Sequence, residues 1–325
     1  MIFILCFLGG LSTLLLGIYF ISKTLESYHQ FRLKYLLKRF TDTPTRGFIF
    51  GTVATMILQS SSAITVITIG LVNARLLTFY QAIGIVLGTN VGTTFTTQMV
   101  AFDLKKLILP MIIVGIILYI IPIITVRLGG KILLSFSLVL IGLNLMTWST
   151  SQLESSRLFL LMFSKLDNSI LYSISIGVIS TALLQSSSGV TAILLALAPH
   201  GYLSLTTAIA VILGSNVGTC FTAVLAVIHS SVAARKVALA HIILNVGGLV
   251  LFFPFISSFS TLIEMTSLSL PRQIANAQTI YNLIISLMVL PIAKRFADLT
   301  SWTYNSISIK TKLGLRQVLR RRRKP

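Results

Sequence analysis

"QSSSAITVITIG", Gln59 to Gly70, returns 126 residues further on as "QSSSGVTAILLA", Gln185 to Ala196. Each copy sets a glutamine and three serines inside apolar sequence. Outward from Gln59 no Asp, Glu, Lys or Arg occurs between Arg46 and Arg75. Outward from Gln185 none occurs between Asp167 and Arg235. Over the whole chain 55% of residues are apolar and 10% charged, against about 25% charged in a soluble domain. Long uncharged apolar stretches recur along the length, which reads as an all-α polytopic membrane protein.

Hydrophobic runs broken by polar residues predict spans at Ile2–Ile21, Phe79–Phe102, Leu107–Val126, Ile132–Trp148, Leu205–Ile228, Val237–Phe255 and Ile274–Ile292. The first has no basic leader and is too long for a signal sequence, so it reads as a retained span. The two QSSS stretches interrupt the runs Gly47–Val72 and Ile170–Ala198. The arm before Gln59 is about 12 residues, or roughly 18 Å of helix, against a hydrocarbon core of about 30 Å. Such an arm enters, turns and returns, its non-helical tip tolerated only where protein or a water-filled cavity surrounds it. The expectation is two re-entrant helical hairpins with QSSS tips near mid-membrane. The chain then divides into a first transmembrane helix and basic cytoplasmic loop (1–46), a first repeat (47–148), a polar external linker (149–169), a second repeat (170–293) and a basic cytoplasmic tail (294–325).

Charge supports that order. With the N-terminus outside, 21 of the 26 Lys and Arg fall on the cytoplasmic side, where the C-terminus also lies. That is the positive-inside bias expected of a membrane protein. The formal charge of +19 is therefore assigned to anionic lipid headgroups rather than nucleic acid. Cys6 and Cys220 sit in apolar segments and make neither a disulfide framework nor a metal pattern.

The two halves are copies. Gly51–Thr96 aligns with Gly177–Thr222 without a gap, and 21 of 46 positions are identical. Three expected crossings separate the hairpins, so the second enters from the face opposite the first. This is an inverted-topology repeat, an architecture that builds a midplane site and lets it face each side in turn.

Bare polar groups in hydrocarbon cost several kcal/mol, so those kept there need a use. Gln59, Ser60, Ser61 and Ser62, with Gln185, Ser186, Ser187 and Ser188, supply amides and hydroxyls from two sides. The returning arms leave N–H groups that favour an anion, and the entering arms leave carbonyls that favour a cation. Beside them run "GTNVGTTFT", Gly88 to Thr96, and "GSNVGTCFT", Gly214 to Thr222. Glycines four apart suit close helix packing. Asn90, Thr93, Asn216 and Thr219 suit a locally unwound helix whose oxygens join the site. Thr65, Thr191 and Asn245 complete the candidate binding set. Neutral hard oxygens fit a light alkali cation better than a transition metal. The expected Na+ ligands lie among Gln59, Ser61, Asn90, Thr93, Gln185, Ser187, Asn216 and Thr219. No Asp or Glu occurs from 43 to 102 or from 168 to 263, which disfavours a proton relay. "AHIILN" (240–245) and "AQTIYN" (277–282) place His241 with Asn245, and Gln278 with Asn282, on one helical face each. They read either as an interhelical lock between the two late helices or as part of the ion path. No nucleophile–base set accompanies the serines, so an enzyme is not expected.

Duplicated QSSS, each followed by G[TS]NVGT, resembles the type II sodium–phosphate cotransporters and their bacterial relatives. The resemblance covers both repeat cores and continues to Asn282. It implies sodium-coupled symport of inorganic phosphate by alternating access, with both tips forming the site and Na+ as coupling ion, no other cofactor being called for. Gln278 stands where such proteins often carry a histidine, and the cytoplasmic regulatory domain resembling PhoU that many bacterial relatives append is not expected here. A multi-pass protein of a bacterial inner membrane is the expected setting. Export, or carriage of another small oxyanion, remains an open alternative, and an anion channel a further one.

Overall fold

The structure, a computed structural model, describes residues 5–21, 23–24, 41–102, 105–152, 166 and 168–321. The first half contains α1 (Leu5–Ile21), α2 (Pro44–Leu58), α3 (Ser61–Asn73), α4 (Phe79–Val100), α5 (Ile108–Ile120) and α6 (Ile124–Gln152). The second contains α7 (Ile170–Leu184), α8 (Ser187–Leu197), α9 (Leu205–Gly218), α10 (Cys220–Ala226), α11 (Val232–Phe252), α12 (Ile256–Glu264), α13 (Leu270–Val289) and α14 (Ala293–Arg321). The described residues are 88% helical, without a strand. Among the described residues, four helical stretches are long and apolar enough to cross a membrane: Ile124–Ser149, Leu205–Ala226, Val232–Glu264 and Leu270–Ser308.

Several expected boundaries move. Leu107–Val126 is not one span: α5 has 13 residues, the backbone turns extended at Ile121, and α6 starts at Ile124. Pro122 is the cause, because its ring disfavours helical backbone in the residue before it. Arg127 and Lys131 consequently ride the first turns of α6 instead of a loop. Late in the chain, Pro254 and Pro291 do not end helices. Each sits in the first turn of a short 3-10 segment that helix continues from, as α12 and α14, a position where the missing N–H costs nothing. The expected tail from 294 therefore begins as helix, with Phe296, Ala297 and Thr300 buried. α6 runs on to Gln152, into the stretch expected as the polar linker. Residues 153–165, 25–40 of the basic loop and 322–325 of the tail lie outside the described residues. Arg46 belongs to the first turn of α2, 2.9 Å from Asp42.

The unwound helices expected beside the tips do not form. α4 runs uninterrupted through Gly88–Thr96, and the α9–α10 boundary is Thr219 alone, itself at helical φ −63°, ψ −23°. Threonine hydroxyls bond back along the helix instead: Thr89 to the Val86 carbonyl, Thr93 to Thr89, and Thr219 to Asn216. Back-bonding satisfies the hydroxyl in an apolar setting without opening the helix.

The halves match in backbone detail. The four described residues with positive φ are Gln59 (55°), Arg75 (59°), Gln185 (51°) and Gly201 (68°), two pairs at the 126-residue offset. N-caps recur at the same offset: Thr43 and Ser169, Ser60 and Ser186, Thr78 and Ser204. A Cβ on Gly88 would lie 2.1 Å from the Phe48 carbonyl oxygen, and one on Gly214 would lie 2.0 Å from that of Ile174. The glycine spacing thus does serve close packing, of α4 on α2 and of α9 on α7.

Candidate functional site

Each QSSS copy is a tight turn between two helices. Gln59 and Gln185 close α2 and α7 in left-handed backbone. The next serine caps the returning helix: the Ala63 N–H donates to Ser60 Oγ at 3.2 Å and the Gly189 N–H to Ser186 Oγ at 3.1 Å. N-capping by serine is what permits so abrupt a restart. Ser61 and Ser187 are then the first residues of α3 and α8.

The two turns meet. One cavity of about 510 Å³ is lined by Gln59–Ala63 of the first tip, Gln185–Ser188 of the second, and by Thr93 and Thr219. Among the described residues one side-chain hydrogen bond joins the first tip to the second repeat, from the Thr222 hydroxyl to Ser62 Oγ at 3.4 Å. Gln59 is held by its own turn, its amide N–H donating to the Met56 carbonyl at 2.5 Å, while the Thr96 hydroxyl donates to Oε1. Leu58, Ile67 and Leu184 of the hairpin arms add apolar wall, and the remaining side is α1: Leu15, Ile18, Tyr19 and, just beyond it in helical backbone, Lys23. Nothing in the sequence assigned α1 to the site. It reaches the cavity by packing on α6 through Gly10, Gly17 and Gly142, and by pressing Leu15 onto Gly189 of the second hairpin.

Five expected site residues do not line the cavity. The Asn90 amide donates to Asn245 Oδ1 at 2.9 Å, and the Asn216 amide to Asn282 Oδ1 at 2.9 Å. Asn245 and Asn282 therefore hydrogen-bond α11 to α4 and α13 to α9, rather than to each other. Asn245 and Asn282 also donate to backbone carbonyls one turn back, those of His241 and Gln278. The His241 ring plays no part in holding Asn245. Thr191 bonds back to the Ser187 carbonyl, and Thr65 is buried with no partner for its hydroxyl. Thr97 adds a further tie, donating to Gln278 Oε1 at 2.6 Å.

These asparagine locks give a measurable expectation. Asn90→Ala and Asn282→Ala should each lower stability by about 1–2 kcal/mol, the scale of an interhelical polar contact in a membrane plus an orphaned amide. A thermal melt of the double variant Asn90→Ala/Asn245→Ala should fall no further than the worse single variant. Additive losses would show that the pair does not act as one unit.

Both turns, with their flanking repeat cores, fall within segments recognised by a single family model. That model, described as Na+/Pi-cotransporter, matches residues 13–148 and 149–269. The chain belongs to the Na+/Pi-cotransporter family. Among curated relatives, the uncharacterized protein YqeW of Bacillus subtilis (strain 168) is 32% identical over 296 residues, covering 91% of this chain and 96% of that protein. The putative inorganic phosphate export protein YjbB of Escherichia coli (strain K12) is 26% identical over 301 residues, 91% of this chain. This cotransporter-family chain spans only 55% of that relative's length. The human sodium-dependent phosphate transport protein 2B is 41% identical over 58 residues, 18% of this chain and 8% of that protein. No solved structure matches. As a family member with four helices among its described residues fit to cross a bilayer, the protein is a membrane protein of a transporter family.

Proposed function

We propose that this protein carries inorganic phosphate across a bacterial inner membrane, coupled to Na+, by alternating access at the paired tips. The observation that carries the reading is the single cavity in which both QSSS turns meet, with no carboxylate among the described residues of its wall. Neutral oxygens of the tips would hold Na+, and the N–H groups opening α3 and α8 would hold the anion, whose charge offsets that of the cation. In this reading the hairpins are re-entrant, since α2, α3, α7 and α8 have 15, 13, 15 and 11 residues and about 20 are needed to span. They enter from opposite faces as an inverted repeat, with the N-terminus outside and the C-terminus inside.

The test is flux of radiolabelled phosphate in proteoliposomes. An inward Na+ gradient should drive uptake, and a pH gradient without sodium should not. Equal uptake under the pH gradient alone would sink sodium coupling. Export is the second reading, favoured by relatives named as putative phosphate export proteins over 91% of this chain. Growth-dependent phosphate loss from cells that overproduce the protein would favour it over uptake. Sulfate competing as well as phosphate would place the cargo among other small oxyanions.

A further inference from the structure

We propose that Lys23 is the charge-selecting residue of the tip cavity, drawing a phosphate-class oxyanion from a basic antechamber onto the two QSSS turns. The inference rests on the reading that these turns bind the cargo. Among the described residues that line the 510 Å³ cavity, Lys23 is the only charged side chain. Every other polar group there is a neutral amide or hydroxyl. A wall of neutral groups binds Na+ and an anion alike, so the sign of the admitted solute has to be set by something else.

Lys23 stands at a junction. It also lines a neighbouring cavity of about 450 Å³ with Lys131, Tyr119, Thr24 and Ser135, and no carboxylate among the described residues lines that cavity either. Lys131 Nζ and the Arg127 guanidinium lie 6.0 and 4.8 Å from the centroid of the Tyr119 ring. Lys131 of the antechamber and the nearby Arg127 are thus held against an aromatic face, and no acid among the described residues pairs with either. Asp42–Arg46 is the one salt bridge among the described residues. Lys23 Nζ lies 5.5 Å from the Tyr19 ring centroid, and Tyr19 is itself a wall of the tip cavity. The ammonium therefore bridges the two chambers while resting on an aromatic ring, a contact weak enough at an exposed site to be exchanged for an anion.

Lysine also suits transit chemically. Its ammonium is a compact point charge on a flexible stem, whereas arginine forks onto an oxyanion bidentately and releases it less readily. Basic residues along a low-dielectric passage raise the local anion concentration, an effect that falls as salt rises.

The experiment uses the full chain in proteoliposomes with radiolabelled phosphate, reading half-saturation and maximal flux at low and high ionic strength. Lys23→Gln should raise the phosphate half-saturation about tenfold, the equivalent of about 1.4 kcal/mol, with maximal flux within about twofold of the parent. Lys23→Glu should be worse, Lys23→Arg should restore affinity, and the salt dependence seen in the parent should flatten in Lys23→Gln. Lys236→Gln, which removes a charge that lines neither cavity, should leave all of these unchanged. Lys23→Met provides a second neutral variant should glutamine impair accumulation. Unchanged half-saturation in Lys23→Gln and Lys23→Met, or an equal shift in Lys236→Gln, overturns the proposal while leaving phosphate carriage intact. A parent protein that moves no phosphate overturns both.

Discussion

Alanine at Ser61 or at Ser187 should weaken apparent affinity for phosphate or sodium roughly ten- to a hundredfold while protein abundance stays unchanged. The scale is the roughly 1.5–3 kcal/mol carried by a hydrogen bond to a charged group, at about 1.4 kcal/mol per decade. The geometry separates these serines from their neighbours. Ser60 and Ser186 are spent on capping α3 and α8, so alanine there should cost about 1 kcal/mol of stability before it touches transport. Ser61 and Ser187 follow the caps, line the cavity and are equivalent under the repeat. Ser→Ala barely changes volume, so packing is preserved. Half-saturation constants and melting temperatures measured on all four variants distinguish the two roles. If all four lower stability equally and none alters affinity, the tips are scaffolding and the site lies elsewhere.

The second large effect is on folding. Gly88→Ala and Gly214→Ala should each destabilise the protein by at least about 3 kcal/mol, at or beyond the usual range for overpacking. The added methyl would lie 2.1 and 2.0 Å from the backbone carbonyl oxygens of Phe48 and Ile174, and backbone in a packed helix pair cannot swing aside as a side chain can. Gly70 and Gly247 are the controls. Both lie in helices with nothing within 4 Å of the place an added methyl would occupy, so alanine there should be neutral or stabilising by up to about 1 kcal/mol. Fluorescence-monitored melting of detergent-solubilised protein reads all four. A melting temperature of Gly214→Ala within error of Gly247→Ala would refute the packing account.

Much of the architecture can be read without coordinates, because it depends on local and repeated signals. The duplication is visible as identities at a constant offset, and the structure reproduces that offset in backbone dihedrals, caps and glycine contacts. The helix–turn–helix at each QSSS also follows from local chemistry: a left-handed residue, then a serine cap, then uncharged apolar sequence. What remained beyond local reading were choices between equally polar partners. Thr89 and Thr93 are able to open a helix or to bond back into it, and both bond back because a carbonyl within one turn satisfies the hydroxyl while every backbone bond is kept. Asn90 and Asn216 are able to face a solute or another helix, and Asn245 and Asn282 lie where they accept from them. Likewise α1 carries no trace of the repeat, so its role as the third wall, with Lys23 at the junction, comes entirely from how Gly10, Gly17 and Gly142 let it close on α6. Periodicity, capping and duplication are properties of short windows and survive in one dimension. Which polar group satisfies which, inside a medium without water to take the remainder, is settled only when distant helices come into contact.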